Sequence, residues 1–86
     1  MNPSNLTMKV KVYAPFKTYF DGPAASLSAV NDTGPFDILP RHKNFMTLLS
    51  PCTVTVRVPN RPDFNLEVSG GVMHVKADQT TVFLDV

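Results

Sequence analysis

Side chains of the kinds that carry catalysis or bind metal ions are few in this sequence. Its two histidines, His42 and His74, are far apart, and Cys52 is the only cysteine. A zinc site made from these three side chains would match no recognised motif and would lack the fourth ligand of a structural site. His74 also lies between the apolar residues Met73 and Val75, as expected for a structural or surface histidine in a strand. We therefore predict no metal site and no bound cofactor.

Motifs for the common enzyme chemistries are absent as well. The segment Ser69-Gly70-Gly71 has only one glycine of a Gly-x-Ser-x-Gly nucleophile elbow. The sequence has neither a Gly-x-x-x-x-Gly-Lys phosphate loop nor a Gly-x-Gly-x-x-Gly fingerprint. A Ser–His–Asp triad is defined by geometry and not by order, so the sequence leaves that one arrangement open. The prediction is a non-catalytic protein.

Length and charge narrow the classes of function further. The 86 residues are enough for one domain, predicted to span residues 1–86. A net charge of +1 is too small for a nucleic-acid-binding surface, and we interpret the cluster of Lys9, Lys11 and Lys17 as a solvated strand face.

One cysteine excludes an internal disulfide. No signal peptide and no stretch near the ~18 apolar residues of a membrane span are present, so we expect a soluble cytoplasmic protein without membrane insertion.

Alternation of apolar and polar residues predicts a protein made of short strands. Residues 6–13 place Met8, Val10 and Val12 on one side and Lys9 and Lys11 on the other, which is the period of a half-buried strand. Eight prolines oppose long helices. Further strands are predicted at residues 18–20, 25–30, 36–39, 53–58, 64–68, 72–75 and 80–84. Residues 45–49 fit a strand or a helical turn, and turns are predicted at residues 21–23, 31–35 and 59–63.

These elements predict an all-β fold. Short strands at spacings near 8–12 residues are typical of a sandwich or barrel, here a flattened one of eight to ten short, mostly antiparallel strands. We expect the protein to be a monomer in isolation. The side chains expected to share its core are Val10, Val12, Val54, Val56, Leu66, Val68, Val75 and Leu84.

Two segments are the most distinctive in the chain. Ser69, Gly70 and Gly71 separate two apolar runs, and a double glycine in a strand pattern indicates a bend, a bulge or the close approach of another backbone. The upstream segment reads Gly34-Pro35-Phe36-Asp37-Ile38-Leu39-Pro40-Arg41-His42. Together with the earlier Ala14-Pro15 and Phe20-Asp21-Gly22, and in this order, these segments resemble the amino-terminal domain of the epsilon subunits of bacterial rotary ATP synthases.

The resemblance covers the chain from about Leu6 to Val86 and implies a function. Epsilon subunits belong to the central stalk of the rotor, where they link the gamma subunit to the membrane c-ring and support the coupling of ion translocation to ATP synthesis. It implies a peripheral location on the cytoplasmic side of the cell membrane. It also implies a c-ring side formed by Thr33, Gly34, Pro35 and Phe36, a gamma side formed by Ala14, His42 and Lys43, and a structural role for Ser69, Gly70 and Gly71.

The sequence departs from the family pattern at three points. Asp37 stands where the family has its second glycine, so we predict that this position no longer requires a backbone conformation open only to glycine. Pro35 replaces a position that is often acidic in the family, which removes a charged contact there. Many members have a carboxy-terminal helical hairpin that would begin just after Val86, and without it we expect residues 1–86 neither to bind ATP nor to inhibit its hydrolysis.

Three alternatives remain beside the stalk subunit. The first is a free-standing β-sandwich interaction module with an unrelated partner. The second is a small oligonucleotide-binding barrel, which predicts exposed aromatic residues on a basic face, although the aromatic residues here are not interleaved with lysine and arginine. The third is an enzyme, which needs a deep pocket with a perturbed acid–base pair.

Overall fold

The computed structural model describes residues 7–84, and within this range every regular element is a β-strand. Nine strands follow one another along the chain, so the predicted all-β class is confirmed. Their bounds are β1 Met8–Ala14, β2 Lys17–Ala24, β3 Ser26–Asn31, β4 Gly34–Ile38, β5 Phe45–Leu49, β6 Cys52–Arg57, β7 Phe64–Val68, β8 Gly71–Lys76 and β9 Gln79–Leu84.

The strands form two sheets that pack as a sandwich. The five-stranded sheet has the order β2-β1-β9-β8-β5, and the four-stranded sheet has the order β4-β3-β6-β7. All pairs are antiparallel except β1 with β9, which run parallel, with Val12 opposite Val82. The first and last strands therefore lie side by side in the middle of one sheet.

Alternate residues of each strand point into the space between the sheets, as the pleat requires. The buried apolar side chains are Met8, Val10, Val12, Ala14, Ala24, Leu27, Ala29, Ile38, Leu49, Val54, Val56, Val68, Met73, Val75, Val82 and Leu84. Every predicted core residue is among them except Leu66, which is half-buried and packs against the core. Thr80, buried beside this core, donates a hydrogen bond from its Oγ1 to Met8 Sδ at 3.7 Å.

One predicted turn is wrong. Residues 21–23 do not end a short strand, because β2 continues through them to Ala24. Gly22 pairs with Val10 and Pro23 with Lys9. A proline is tolerated here because β2 is an edge strand, where its missing N–H interrupts no ladder on the outer side.

The structure also assigns residues 45–49 and shortens the turn predicted at residues 31–35. Residues 45–49, which fit a strand or a helical turn, form the strand β5. The predicted turn at residues 31–35 is shorter than expected, since only Asp32 and Thr33 form the turn and β4 already begins at Gly34. Pro35 again lies in an edge strand.

The double glycine fits one of its three predicted explanations. A Cβ on Gly71 would lie 2.6 Å from the carbonyl oxygen of Phe83, closer than real Cβ contacts allow. The same atom on Gly70 would make only an ordinary contact of 3.6 Å. Gly71 is therefore required by the close approach of the β9 backbone.

Candidate partner-binding surface

Hydrogen bonds between loops and turns define the two ends of the sandwich. We call one of them the Thr33 end, which carries the β1–β2 turn, the β3–β4 turn and the β7–β8 connection. At this end the Ser50 N–H donates to the carbonyl of Val30 at 2.9 Å, and Asn31 Nδ2 donates to Thr47 Oγ1 at 3.2 Å. These contacts tie the end of β3 to β5, across the two sheets.

The opposite end, called the Asp78 end, carries the loops 39–44 and 58–63 and the β8–β9 turn. The Asp78 carboxylate accepts a hydrogen bond from the Arg41 N–H, and the Asp78 carbonyl accepts one from the Lys9 N–H at 2.9 Å. One residue therefore holds the loop after β4 and the start of β1. At about 3.3 Å per residue, the five residues of β4 place the two ends roughly 17 Å apart.

The residues predicted to face the c-ring lie together at the Thr33 end. The Thr33 N–H and Oγ1–H both donate to Asn31 Oδ1, at 3.0 and 2.7 Å, so the turn is closed by its own side chains. Gly34 follows with φ +120°, a conformation that other residues rarely adopt. Pro35 is exposed, whereas Phe36 is half-buried and meets the ring of Phe45 edge-on at 5.8 Å. Thr33 and Pro35 are thus the accessible members of this group.

The residues predicted to face gamma are divided between the two ends. His42 and Lys43 are at the Asp78 end, where His42 Nδ1 donates to the Lys43 carbonyl at 2.7 Å and the imidazole meets the ring of Phe45 edge-on at 5.7 Å. Ala14 is at the Thr33 end and is buried, beside the β1–β2 turn at Pro15 and Phe16. The structure does not bring Ala14 close to His42.

Asp37 fits the predicted loss of the glycine-only conformation. Its φ is not positive, and it lies within β4 opposite Ser28, whose Oγ–H donates to the Asp37 carboxylate. The outer face of the four-stranded sheet continues this polar pattern. Arg57 Nη1 donates to Ser28 Oγ at 2.7 Å, and Thr55 Oγ1 donates to Asn65 Oδ1 at 2.8 Å. Several polar side chains of this face therefore bond to one another.

The outer face of the five-stranded sheet is different, and no residue on it was predicted from the sequence to bind a partner. Pairing places Leu48 opposite Val72, Val72 opposite Phe83 and Phe83 opposite Tyr13. These four residues form a row across β5, β8, β9 and β1, which we call the apolar row. Leu48 is 70% exposed, Phe83 39% and Val72 36%. Phe83 and Tyr13 meet edge-on at 5.2 Å.

A signal for this row exists in the sequence. Residues 45–46, 48–49, 72–73 and 82–84 are apolar at consecutive positions, whereas a strand with one solvent-exposed face alternates. Consecutive apolar residues indicate a strand whose two faces are both covered. Exposed Met46, on the same outer face of β5, adds one more apolar side chain next to Leu48.

The groove beside the β3–β4 turn connects the apolar row with the predicted c-ring side. It has a volume of about 440 Å³ and is lined by Asp32, Thr33, Met46, Leu48 and Val72, among others. Apolar side chains form one wall and the polar turn forms the other. Such an open groove suits a protein partner better than a small molecule, which usually needs an enclosed pocket.

Other kinds of site find no counterpart in the described part of the chain. No group of three or more histidine, cysteine, aspartate or glutamate side chains in residues 7–84 could hold a metal ion. Over the same range, no helix is long and apolar enough to cross a membrane. His74 is an exposed residue of β8, and Cys52 is half-buried.

The family of the chain follows from its sequence. Residues 7–86 match the family described as ATP synthase, Delta/Epsilon chain, beta-sandwich domain. The chain belongs to this family. It is 35% identical over 81 residues to the ATP synthase epsilon chain of Laribacter hongkongensis, covering 93% of this chain and 58% of the relative. It is 32% identical over 80 residues to that of Neisseria meningitidis, covering 92% and 57%.

Solved structures show the same fold. The chain superposes on a chain of the Euglena gracilis mitochondrial ATP synthase with a TM-score of 0.85 at 16% identity, covering 92% of this chain and 51% of the other. A chain from the Tetrahymena thermophila mitochondrial ATP synthase central stalk and c-ring gives 0.78 at 20% identity, covering 92% and 63%. The chain spans between half and two thirds of the length of these relatives.

Proposed function

We propose that this epsilon-type domain is a non-catalytic part of the rotor stalk of a rotary ATP synthase, where it links the gamma subunit to the c-ring. The location that goes with this role is peripheral, on the cytoplasmic side of the cell membrane. Membership in the delta/epsilon-chain family supports the proposal, as does the likeness to chains of central-stalk and c-ring assemblies. The domain acts mechanically, by joining two partners that must rotate together.

The observation that carries the proposal is the placement of two partner segments at opposite ends of one strand. Residues 33–36 lie where β4 begins, and His42 and Lys43 lie just beyond its end at Ile38. β4 is hydrogen-bonded along its whole length to β3, from Leu27 opposite Ile38 to Asn31 opposite Gly34. Because a close-packed sandwich deforms little under load, a displacement at one end is passed to the other.

Paired variants test the two ends separately. Pro35→Arg puts a long charged side chain on an exposed residue of the proposed c-ring side, and we expect it to weaken binding to purified c-rings while gamma binding is kept. The double variant His42→Glu with Lys43→Glu makes the proposed gamma side negative, and we expect the opposite result. Each variant is the control for the other. Arg61→Glu, in the 58–63 loop of the same end, is the charge-reversal control for the double variant and should bind both partners.

Binding of the parent protein decides between the proposal and its alternatives. A free-standing interaction module with an unrelated partner would bind neither gamma nor the c-ring. A parent protein that binds both, with variants that do not separate the two interactions, contradicts the assignment of the ends. Thermal unfolding should show nearly unchanged midpoints for all variants, since the substituted side chains are outside the core.

A further inference from the structure

Within residues 7–84, four strands have a neighbouring strand on one side only, and three of them are protected on the other side. β2 carries Pro23 and a bulge where Tyr19 is skipped in the pairing with β1, and β4 carries Pro35. β5 is tied to the end of β3, where Asn31 Nδ2 donates to Thr47 Oγ1. Prolines, bulges and covering contacts are the usual means by which proteins prevent a strand edge from pairing with another chain.

The fourth edge strand, β7, lacks all of these features. Its residues Phe64–Val68 contain no proline and pair with β6 in one regular register, from Val68 opposite Cys52 to Phe64 opposite Val56. No other strand of the described chain lies against its outer side. In an antiparallel strand with one neighbour, the N–H and C=O groups of alternate residues point away from that neighbour. β7 therefore presents a row of free backbone donors and acceptors.

An apolar groove lies between the start of β7 and the edge strand β2 of the other sheet. Its volume is about 490 Å³, and its lining includes Phe20, Val58 and Phe64. The rings of Phe20 and Phe64 meet at 5.2 Å, and both side chains are only half-buried. In a strand laid along β7, every second side chain would point to the inner side of the four-stranded sheet. Those next to Phe64 would enter the groove.

Carboxylates outnumber cations around this edge. Asp21 and Asp63 line the groove together with Arg61, and Glu67 is exposed on the outer side of β7. Arg57, on the outer face of β6, donates instead to serine hydroxyls of β3. Directly opposite side chains of paired strands lie about 5 Å apart, so a lysine or arginine of an added strand would reach Glu67.

A second copy of this chain fits the edge poorly. Antiparallel pairing of β7 with itself, centred on Leu66, would place Glu67 opposite Asn65 of the second copy and diagonally across from its Asp63. Like charges at this separation oppose pairing, and the two-fold symmetry would repeat the repulsion. A strand that carries lysine or arginine in place of these carboxylates would replace repulsion by attraction.

We propose that the outer edge of β7 binds an extended segment of another polypeptide as a fifth strand of the four-stranded sheet. The segment has apolar side chains at alternate positions, which cover Phe64 and enter the groove, and lysine or arginine between them, next to Glu67. Main-chain hydrogen bonds supply its affinity and the alternation supplies its specificity. The five residues of β7 correspond to about 17 Å of added strand. The site is separate from the two partner ends proposed above.

Titration of the protein with a synthetic heptapeptide, followed by nuclear magnetic resonance, tests the proposal. The probe is acetyl-Thr-Val-Lys-Val-Lys-Val-Thr-amide. Its control carries a methyl group on the backbone nitrogens of the central valine and of the lysine after it, which blocks both edges of the peptide because neighbouring N–H groups point to opposite edges. We expect the probe, and not the control, to shift the amide signals of residues 63–68. At saturating probe, the exposed amides of β7 should exchange with solvent at least about tenfold more slowly.

A charge exchange tests the chemistry of the segment. Glu67→Lys should raise the Kd of the probe roughly threefold to tenfold, because attraction across the strand pair becomes repulsion. Asp32→Lys makes the same change in the exposed β3–β4 turn, far from β7, and should leave the Kd unchanged. A peptide with glutamate in place of both lysines should bind Glu67→Lys more tightly than it binds the parent. Equal binding of the lysine and glutamate peptides to the parent overturns the proposed chemistry.

Other results overturn strand addition itself. These are no binding at millimolar probe, equal binding of the methylated control, or β7 amides whose exchange is unchanged at saturation. Sedimentation showing a dimer of the protein that the probe dissociates would assign the edge to a second copy and would also overturn the proposal. None of these measurements involves gamma or the c-ring, so this inference and the proposed function stand or fail separately.

Discussion

A Cβ on Gly71 would lie 2.6 Å from the carbonyl oxygen of Phe83. The two residues belong to neighbouring strands of the five-stranded sheet, in which Gly71 pairs with Leu84 and Val72 with Phe83. The absence of a side chain at Gly71 lets β8 enter the sheet directly after the chain has crossed from the other one. The contact explains the second glycine of the Ser69-Gly70-Gly71 segment by packing and not by a left-handed backbone.

Gly71→Ala should therefore destabilise the protein. The new methyl group meets backbone atoms, which cannot rotate away, and overpacking of this kind costs roughly 1–3 kcal/mol. Gly70→Ala is the matched control, because its Cβ would make an ordinary 3.6 Å contact with the Leu49 carbonyl. Urea unfolding measures both. Equal stability of the two variants would contradict the close approach of β9.

Gly34→Ala should also be destabilising, for a different reason. No atom lies within 4 Å of the added Cβ, but the φ of +120° is strained for any residue with a side chain, and we expect a cost of about 1–3 kcal/mol. Gly22→Ala is the control, since its nearest atom is at 3.9 Å and its φ is not in the positive range. That substitution should be neutral or slightly stabilising, because alanine restricts the unfolded chain. Chemical denaturation that ranks the two variants in the reverse order would refute this explanation.

Asp78 should contribute to stability through its side chain. Ala77 and Asp78 both have positive φ, 49° and 62°, and form the two-residue loop of the β8–β9 hairpin, as in a type I′ turn. Asp78→Ala removes the acceptor of the Arg41 N–H and puts alanine in a left-handed conformation, at an expected cost of about 1–3 kcal/mol. Asp78→Asn keeps the acceptor and tolerates the conformation, so its free energy of unfolding should stay within about 0.5 kcal/mol of the parent. If both substitutions cost the same, the side-chain hydrogen bond is not what matters at this turn.

The same substitution at a buried and at an exposed leucine should have very different effects. Leu84 is 2% exposed in the core, and Leu48 is 70% exposed in the apolar row. Leu84→Ala should reduce the free energy of unfolding by roughly 2–4 kcal/mol, because a cavity remains, and Leu48→Ala by less than about 0.5 kcal/mol. Thermal and urea unfolding test this directly. A large loss from Leu48→Ala would show that the row supports the fold.

Much of the fold could be predicted from the sequence because strand formation is largely local. The alternation of apolar and polar residues at 53–58 and 64–68 predicts the strands β6 and β7. It also predicts Val54 and Val56 as core residues, and both are buried. Prediction failed at residues 21–23, where Gly22 and Pro23 are turn residues by type but strand residues by position. An edge strand tolerates both, and the edge is defined only by which strands pair.

The candidate partner-binding surface was likewise predictable from the sequence only in part. The order of short motifs predicted the family, which is confirmed, and with it residues 33–36, Ala14, His42 and Lys43 as partner segments, which stays a prediction. The consecutive apolar residues around Leu48, Val72 and Phe83 are visible in the sequence, but residues 45–49 fitted a strand or a helical turn equally well. That these residues form one row beside Tyr13 was decided by the tertiary structure, because it depends on the parallel pairing of β1 with β9 and the antiparallel pairing of β5 with β8. Those pairings join segments distant in the chain, and the free energy that selects them comes from filling a shared core, which no local pattern encodes.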